Sequence, residues 1–204
     1  MPLSVDSCGA VILAGGRSSR MGCCKALLHL EGESMISRLS RQLALFDEQL
    51  LSANDPNLAR GLRARLVQDQ YRDAGPMGGL HAALAISAKE ALFCVPCDLP
   101  AFDPRLPCCM LDAYPRGAEA FICVDSAGRL HPLCGIYTKS ALPALERQLT
   151  HGQYRMTAFL QQLHYARFPA SEIFPDNVFF NMNTPEDYRR IAAEANAHEP
   201  AGRL

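Results

Sequence analysis

Gly9-Ala-Val-Ile-Leu-Ala-Gly-Gly-Arg-Ser-Ser-Arg-Met-Gly22, followed closely by Lys25, decides how the rest of the chain is read. Ala10 to Leu13 are apolar and read as a buried strand. They run into the adjacent glycines Gly15 and Gly16, and then into positive charge at Arg17, Arg20 and Lys25. A strand that ends in glycine and then offers backbone N–H groups and cations is a place to hold phosphates. The ATPase phosphate loop is excluded, because Lys25 lies three residues after Gly22 and no Ser or Thr follows it. The dinucleotide fingerprint is excluded too, because its glycines are spaced G-x-G-x-x-G and these are adjacent.

Outward from this turn, apolar runs alternate with amphipathic stretches. Strands are expected at 9–13, 49–53, 65–68, 91–96, 119–124 and 131–137. Helices are expected at 34–46, 78–88, 104–113, 139–149, 155–163 and 184–195. Within 34–46, Met35, Ile36, Leu39, Leu43 and Phe46 fall at helical spacing, which suits one face against a sheet. Short strands separated by helices predict βαβ crossovers and a mainly parallel sheet. Residues 119–124 and 131–137 flank Asp125-Ser-Ala-Gly128-Arg, a hairpin-like turn, so a small antiparallel portion is expected there. The fold class is therefore α/β, a three-layer sandwich.

The 204 residues, 49% hydrophobic, suffice for one substantial core, and a single domain over 1–204 is expected, with a frayed tail from about 195. Twenty basic residues against 21 acidic leave a net charge of −1, so no nucleic-acid footprint exists at whole-chain level. No apolar run approaches the roughly 18 residues needed to span a bilayer, and the opening Met-Pro-Leu-Ser-Val-Asp does not read as a signal peptide. A cytoplasmic, non-membrane protein is expected. The nine cysteines are odd in number and several lie in apolar runs, so they read as free thiols. Cys94-Val-Pro-Cys97 has no second pair at zinc-site distance.

In open sheets of this type, ligands sit beyond the carboxyl ends of the strands. That rule selects Ala14 to Lys25, Asn54, Asp69 and Asp98, each delivered by a separate strand end. Asp98 closes an apolar strand before Leu99-Pro100, and a single such carboxylate can hold Mg²⁺ together with phosphate oxygens and water. It can equally cap the following helix. Asp69 precedes Gly75-Pro-Met-Gly-Gly79, where Gly78 and Gly79 let the chain pass close to a flat base or ribose, or simply mark a helix start. Arg20 and Lys25 can neutralise a triphosphate and stabilise charge at the reacting phosphorus, or form a solvated basic loop.

Thr184 with Pro185 reads as a helix entrance, with Asn181 and Asn183 just before it able to offer amide oxygens to a metal or substrate. His131 reads more simply as a packed or turn histidine. Neither G-x-S-x-G nor H-E-x-x-H is present. Phosphoryl or nucleotidyl transfer needs neither, because positioning and electrostatics carry it.

Taken together, Leu13-Ala-Gly-Gly-x-Ser-x-Arg-Met-Gly22 with Lys25, Gly75-Pro-Met-Gly-Gly79, Pro96-Cys-Asp-Leu-Pro100, His131-Pro-Leu-Cys-Gly-Ile-Tyr137, Tyr154-Arg-Met and Asn181-Met-Asn-Thr-Pro-Glu-Asp187 resemble the molybdenum cofactor guanylyltransferases. The motifs keep the family's order from about residue 9 to 190. The resemblance implies a Rossmann-like domain that couples GTP to the molybdopterin cofactor, releasing pyrophosphate. It puts Leu13, Ala14 and Gly15 on guanine and ribose, Lys25 on the phosphates, Asn54 and Asp69 on the nucleoside, and Mg²⁺ on Asp98. It also implies transient contact with molybdoenzymes or their chaperones. One departure is Cys24, where the family usually carries Asp; a thiol does not orient a lysine as a carboxylate does. Cytidylyl or sugar-1-phosphate transfer, or an inactive GTP-binding carrier, are the alternatives.

Overall fold

The computed structural model describes residues 3–15, 25–71 and 73–197, the last three without their side chains. Among them, nine strands follow in chain order: β1 Cys8–Leu13, β2 His29–Leu30, β3 Glu33–Ser34, β4 Gln49–Ser52, β5 Arg65–Val67, β6 Ala91–Pro96, β7 Ala120–Val124, β8 Leu130–Thr138 and β9 Tyr165–Pro169. The α-helices are α1 Met35–Gln42, α2 Pro76–Ile86, α3 Leu106–Asp112, α4 Leu142–Thr150, α5 Met156–Leu160 and α6 Pro185–Ala197.

Among the described residues, seven strands form one sheet in the order β5-β4-β1-β6-β8-β7-β9, and β2 pairs β3 in a separate hairpin. β1 is parallel to both β4 and β6, β4 to β5, and β7 to β9. β8 alone runs against its neighbours β6 and β7. The expected mainly parallel sheet with a small antiparallel portion is what forms.

β1 is buried along its whole length, because both of its faces are covered. Cys8, Ala10 and Ile12 join one core with Ile36, Leu39, Leu43 and Phe46 of the α1 region and Leu106 and Met110 of α3. Val11 and Leu13 join the opposite core with Met77, Leu80 and Leu84 of α2, Leu145 of α4 and Phe159 of α5. Each fully buried Val, Leu, Ile, Phe or Met among them contributes about 1.5–3 kcal/mol relative to exposure, so helix, sheet and helix layers hold one another. A third, smaller cluster of Leu30, Met35 and Met182 sits against Tyr188, Ile191 and Ala192 of α6.

Several expected boundaries move. The helix read over 34–46 begins after Ser34, whose Oγ accepts from Ser37 N at 3.3 Å, and stops at Gln42. Tight turns then take over, Ala44 N to Arg41 O and Phe46 N to Leu43 O, so Leu43 and Phe46 are buried from outside the helix. The helix read over 155–163 is confined to Met156–Leu160, and the chain then turns into β9, an edge strand that the sequence pattern did not reveal. The β2–β3 hairpin was missed as well. Its turn places Glu31 and Gly32 at φ 53° and 78°, a conformation in which only the glycine is at ease. α6 runs to Ala197, into the stretch read as a frayed tail.

Candidate active site

The tips of the parallel strands are laced to one another. Ala14 N donates to Ser52 O at 2.9 Å, Ala53 N to Val67 O at 3.3 Å, and Cys97 N to Leu13 O at 3.0 Å. The rim selected from sequence is therefore a physical ledge. Leu13, Ala14 and Gly15 lie on it, with Asn54 exposed at the end of β4. Gly16, Arg20 and Cys24 lie outside the described residues.

Lys25 opens a short 3-10 turn and reaches two groups far away in sequence. Its Nζ donates to Asp98 Oδ2 at 3.0 Å and to Asn183 Oδ1 at 2.6 Å, across 73 and 158 residues. The Lys25 and Asp98 side chains are only 17% and 18% exposed, so the pair is partly shielded from solvent screening. Asp98 does not cap a helix: α3 begins eight residues later, at Leu106. Its other carboxylate oxygen, Oδ1, is buried with no hydrogen-bond partner among the described residues.

Asn183 is presented by a helix cap. Asp187 N donates to Thr184 Oγ1 at 3.1 Å, while Asp187 Oδ2 accepts from the backbone N–H groups of Asn183 and Thr184 at 2.9 Å each. Those two backbone donors hold the Asp187 carboxyl below its ordinary range. Met182 N in turn donates to Asp98 O at 2.9 Å, stitching this segment to the end of β6. The helix entrance forms as read, and the Asn183 amide oxygen accepts from Lys25.

Asp69 accepts from Ser52 Oγ at 3.0 Å. Partial burial pushes its pKa up, against the lowering effect of the Ser52 hydrogen bond. Gly78 and Gly79 are buried inside the first turn of α2 rather than lining open space. A Cβ on Gly79 would lie 2.9 Å from Ser52 Cβ and 3.1 Å from Leu13 Cδ2, and one on Gly78 would lie 3.3 Å from Asp69 Oδ2. Their absence of side chains lets α2 rest on the tips of β1 and β4. Of the three glycines in this motif, Gly75 meets open space: it has φ 59°, a Cβ there would find no described atom within 4 Å, and it stands directly at the N-cap of α2.

Beyond β6 the same rim continues over β7 and β8, with Asp125 after β7 and His131 at the start of the reversed β8. Asp125, nearly fully buried, accepts from Ala127 N at 3.0 Å, Arg129 N at 2.9 Å, Arg129 Nε at 2.8 Å and pairs with His131 Nε2 at 3.1 Å. Burial opposes its ionisation, but these bonds and the Arg129 charge prevail and hold its pKa at about 2. The His131 ring stacks on Phe179, centroids 4.2 Å apart and 14° from parallel. A cleft of about 600 Å³ opens here, lined among others by Asp125, Arg129, His131, Phe180, Asn183 and Arg190. Asn183 thus belongs both to the lysine cluster and to this cleft. Asp125 was not anticipated as a site residue, although its place at a strand end matched the signal that picked out Asp98.

Cys8, Cys94, Cys108, Cys109, Cys123 and Cys134 are free thiols, and no group of three or more His, Cys, Asp or Glu among the described residues is disposed to hold a metal. No described helix is long and apolar enough to cross a membrane.

Residues 10–167 match the family model described as the MobA-like NTP transferase domain. A probable molybdenum cofactor guanylyltransferase of Peptoclostridium acidaminophilum is 30% identical, the alignment covering 96% of this chain and 93% of that one. A molybdenum cofactor guanylyltransferase of Syntrophotalea carbinolica is 33% identical over 94% and 95%. The crystal structure of molybdopterin-guanine dinucleotide biosynthesis protein A from Archaeoglobus fulgidus superposes with a TM-score of 0.80 at 23% identity, covering 93% of this chain and 99% of that one.

Proposed function

The chain belongs to the MobA-like NTP transferase family, among the molybdenum cofactor guanylyltransferases, and on that premise we propose how its residues divide the work of moving GMP from GTP to molybdopterin. It is a nucleotidyltransferase of molybdenum cofactor biosynthesis. Leu13, Ala14 and Gly15 receive guanine and ribose on the ledge of β1, with Gly16 next in sequence completing the nucleotide-binding motif, and Asn54 and Asp69 hold the nucleoside from the ends of β4 and β5. Gly78 and Gly79 serve by letting α2 seat beneath it. Lys25 and Arg20 neutralise the triphosphate, and the acceptor enters through the cleft that meets Asn183.

The observation that carries this reading is the meeting of Lys25, Asp98 and Asn183 at one rim, from three distant parts of the chain. A terminal phosphate oxygen of the acceptor forms a bond to the α-phosphorus as the bond to the β-phosphate oxygen breaks and pyrophosphate leaves. That nucleophile is already anionic at neutral pH, so no general base is required, and the lysine's task is to stabilise charge on the transferring group. The buried Oδ1 of Asp98, without a hydrogen-bond partner among the described residues, and the amide oxygen of Asn183 would suit Mg²⁺, which takes one or two protein oxygens together with phosphate and water. When bound, the metal supplies charge neutralisation at the phosphates. The work belongs in the cytoplasm, where GTP is supplied and the product is handed over transiently to molybdoenzymes or their chaperones.

Calorimetry with GTP and CTP, together with pyrophosphate release in the presence of molybdopterin, tests the reading. GTP should bind more tightly, and Asp98→Ala should lose Mg²⁺-dependent turnover while keeping its circular dichroism spectrum. Tighter CTP binding overturns the base assignment, and wild-type turnover in Asp98→Ala puts the metal elsewhere.

A further inference from the structure

We infer that His131 is a recognition residue for the acceptor, taking an N–H donor of its planar pterin ring on Nδ1; the inference rests on the reading that the cleft at Asn183 receives molybdopterin. Asp125 is ionised throughout the neutral range and can only accept hydrogen bonds. The ring nitrogen facing it at 3.1 Å, His131 Nε2, must therefore carry the proton. In the neutral imidazole this leaves Nδ1 as a bare lone pair, and no hydrogen bond among the described residues reaches it. One face of the ring is covered by Phe179 at 4.2 Å and the Nε2 edge is taken by Asp125. What remains for the solvent is the other face and the Nδ1 edge.

The imidazole lines the 600 Å³ cleft and also an adjoining cavity of about 240 Å³ bounded by Leu130, Phe179 and Asn181. Its side chain is 21% exposed, whereas the Asp125 side chain that aims it is 1% exposed. The two halves of this unit are fixed to each other: Ser126, in the turn after Asp125, donates through its backbone N–H to Asp176 Oδ1 at 3.0 Å, and Asp176 opens the 3-10 helix that carries Phe179. A buried carboxylate holding a partly exposed ring in one tautomer, against an aromatic backing, is an arrangement for presenting an acceptor atom to a ligand. A phosphate would need a donor there; a fused heterocycle bearing ring and amino N–H groups supplies the matching one.

A histidine that merely braces the hairpin through Asp125 is distinguished by two substitutions. His131→Gln keeps a polar group near the Nε2 position and removes the Nδ1 acceptor; His131→Asn does the reverse. Steady-state KM values for molybdopterin and GTP, and GTP affinity by calorimetry, are measured for both. His131→Gln should raise the acceptor KM about tenfold, the worth of one good hydrogen bond, with KM and affinity for GTP unchanged. His131→Asn should recover part of that loss. In the wild type, the nitrogen-15 resonance of His131 Nδ1 should move toward that of a hydrogen-bonded acceptor when molybdopterin is added.

An unmoved resonance, an unchanged acceptor KM in His131→Gln, or damage confined to His131→Asn overturns the inference alone. Failure of the wild-type chain to form any guanylylated product overturns the underlying reading as well.

Discussion

At the scale of single residues, the site depends on a lysine held between two oxygens from distant parts of the chain. Lys25 Nζ bridges Asp98 Oδ2 and Asn183 Oδ1, so its charge is already placed before any phosphate arrives. Lys25→Ala should cost about 2–4 kcal/mol of transition-state stabilisation, the loss of one preorganised electrostatic group. The check is kcat/KM for GTP with saturating acceptor, and an unchanged value would remove Lys25 from the site. A second prediction concerns Asp125. Its folded pKa of about 2 lies below the ordinary 3.8, so the ionised carboxylate favours the folded state. That stability is present above the ordinary value and is lost as the pH falls from about 4 to about 2. Urea unfolding across that window should show an acid loss that Asp125→Asn lacks; equal slopes for the two proteins would show that the turn is held by something else.

At the scale of elements, α2 and the strand tips form one fitted surface. Gly79 sits where a methyl group would meet Ser52 and Leu13, both anchored in buried strands with little room to retreat. Gly79→Ala should destabilise the fold by about 1–3 kcal/mol through overpacking and weaken GTP binding, because Ser52 also holds Asp69. Thermal unfolding and GTP calorimetry measure both; a stable variant with weakened binding would show that the helix can tilt without unfolding. How much of this was legible in sequence follows the burial of each element. β1 and β6 are apolar runs because both faces are covered, and β4 is buried around its central Leu50 and Leu51; the three were read from those residues. β9 lies at the sheet edge with its Arg167 and Pro169 exposed, and β2–β3 is too short to show a period. Both escaped for that reason. Asp98 was found because a strand-end carboxylate is a local signal. Asp125 bears the same signal, but its meaning lies in partners that only folding assembles, such as the stack of His131 on Phe179.

At the scale of the whole molecule, segments 158 residues apart in sequence meet at the site. Lys25 enters from the N-terminal third and Asn183 from the last helix entrance, and what keeps them in register is the small third cluster. Leu30, Met35 and Met182 are buried together, Tyr188 OH donates to His29 O at 2.9 Å, and Met182 N ties the same segment to Asp98 O. The nucleoside ledge on β1, β4 and β5 rests instead on the two large cores. Met182→Ala should therefore act unequally. The cavity should cost about 2–5 kcal/mol of stability, and the freed segment should let Asn183 and Lys25 drift apart. GTP should then bind more weakly while guanosine, which makes no phosphate contact, binds as before. Met182→Leu conserves volume and should cost less than about 1.5 kcal/mol and retain both affinities. Calorimetry with GTP and guanosine on the two variants separates these outcomes. An equal loss of both ligands in Met182→Ala would mean that the small cluster supports the entire rim, and that nucleoside and phosphate recognition are not mechanically separable in this fold.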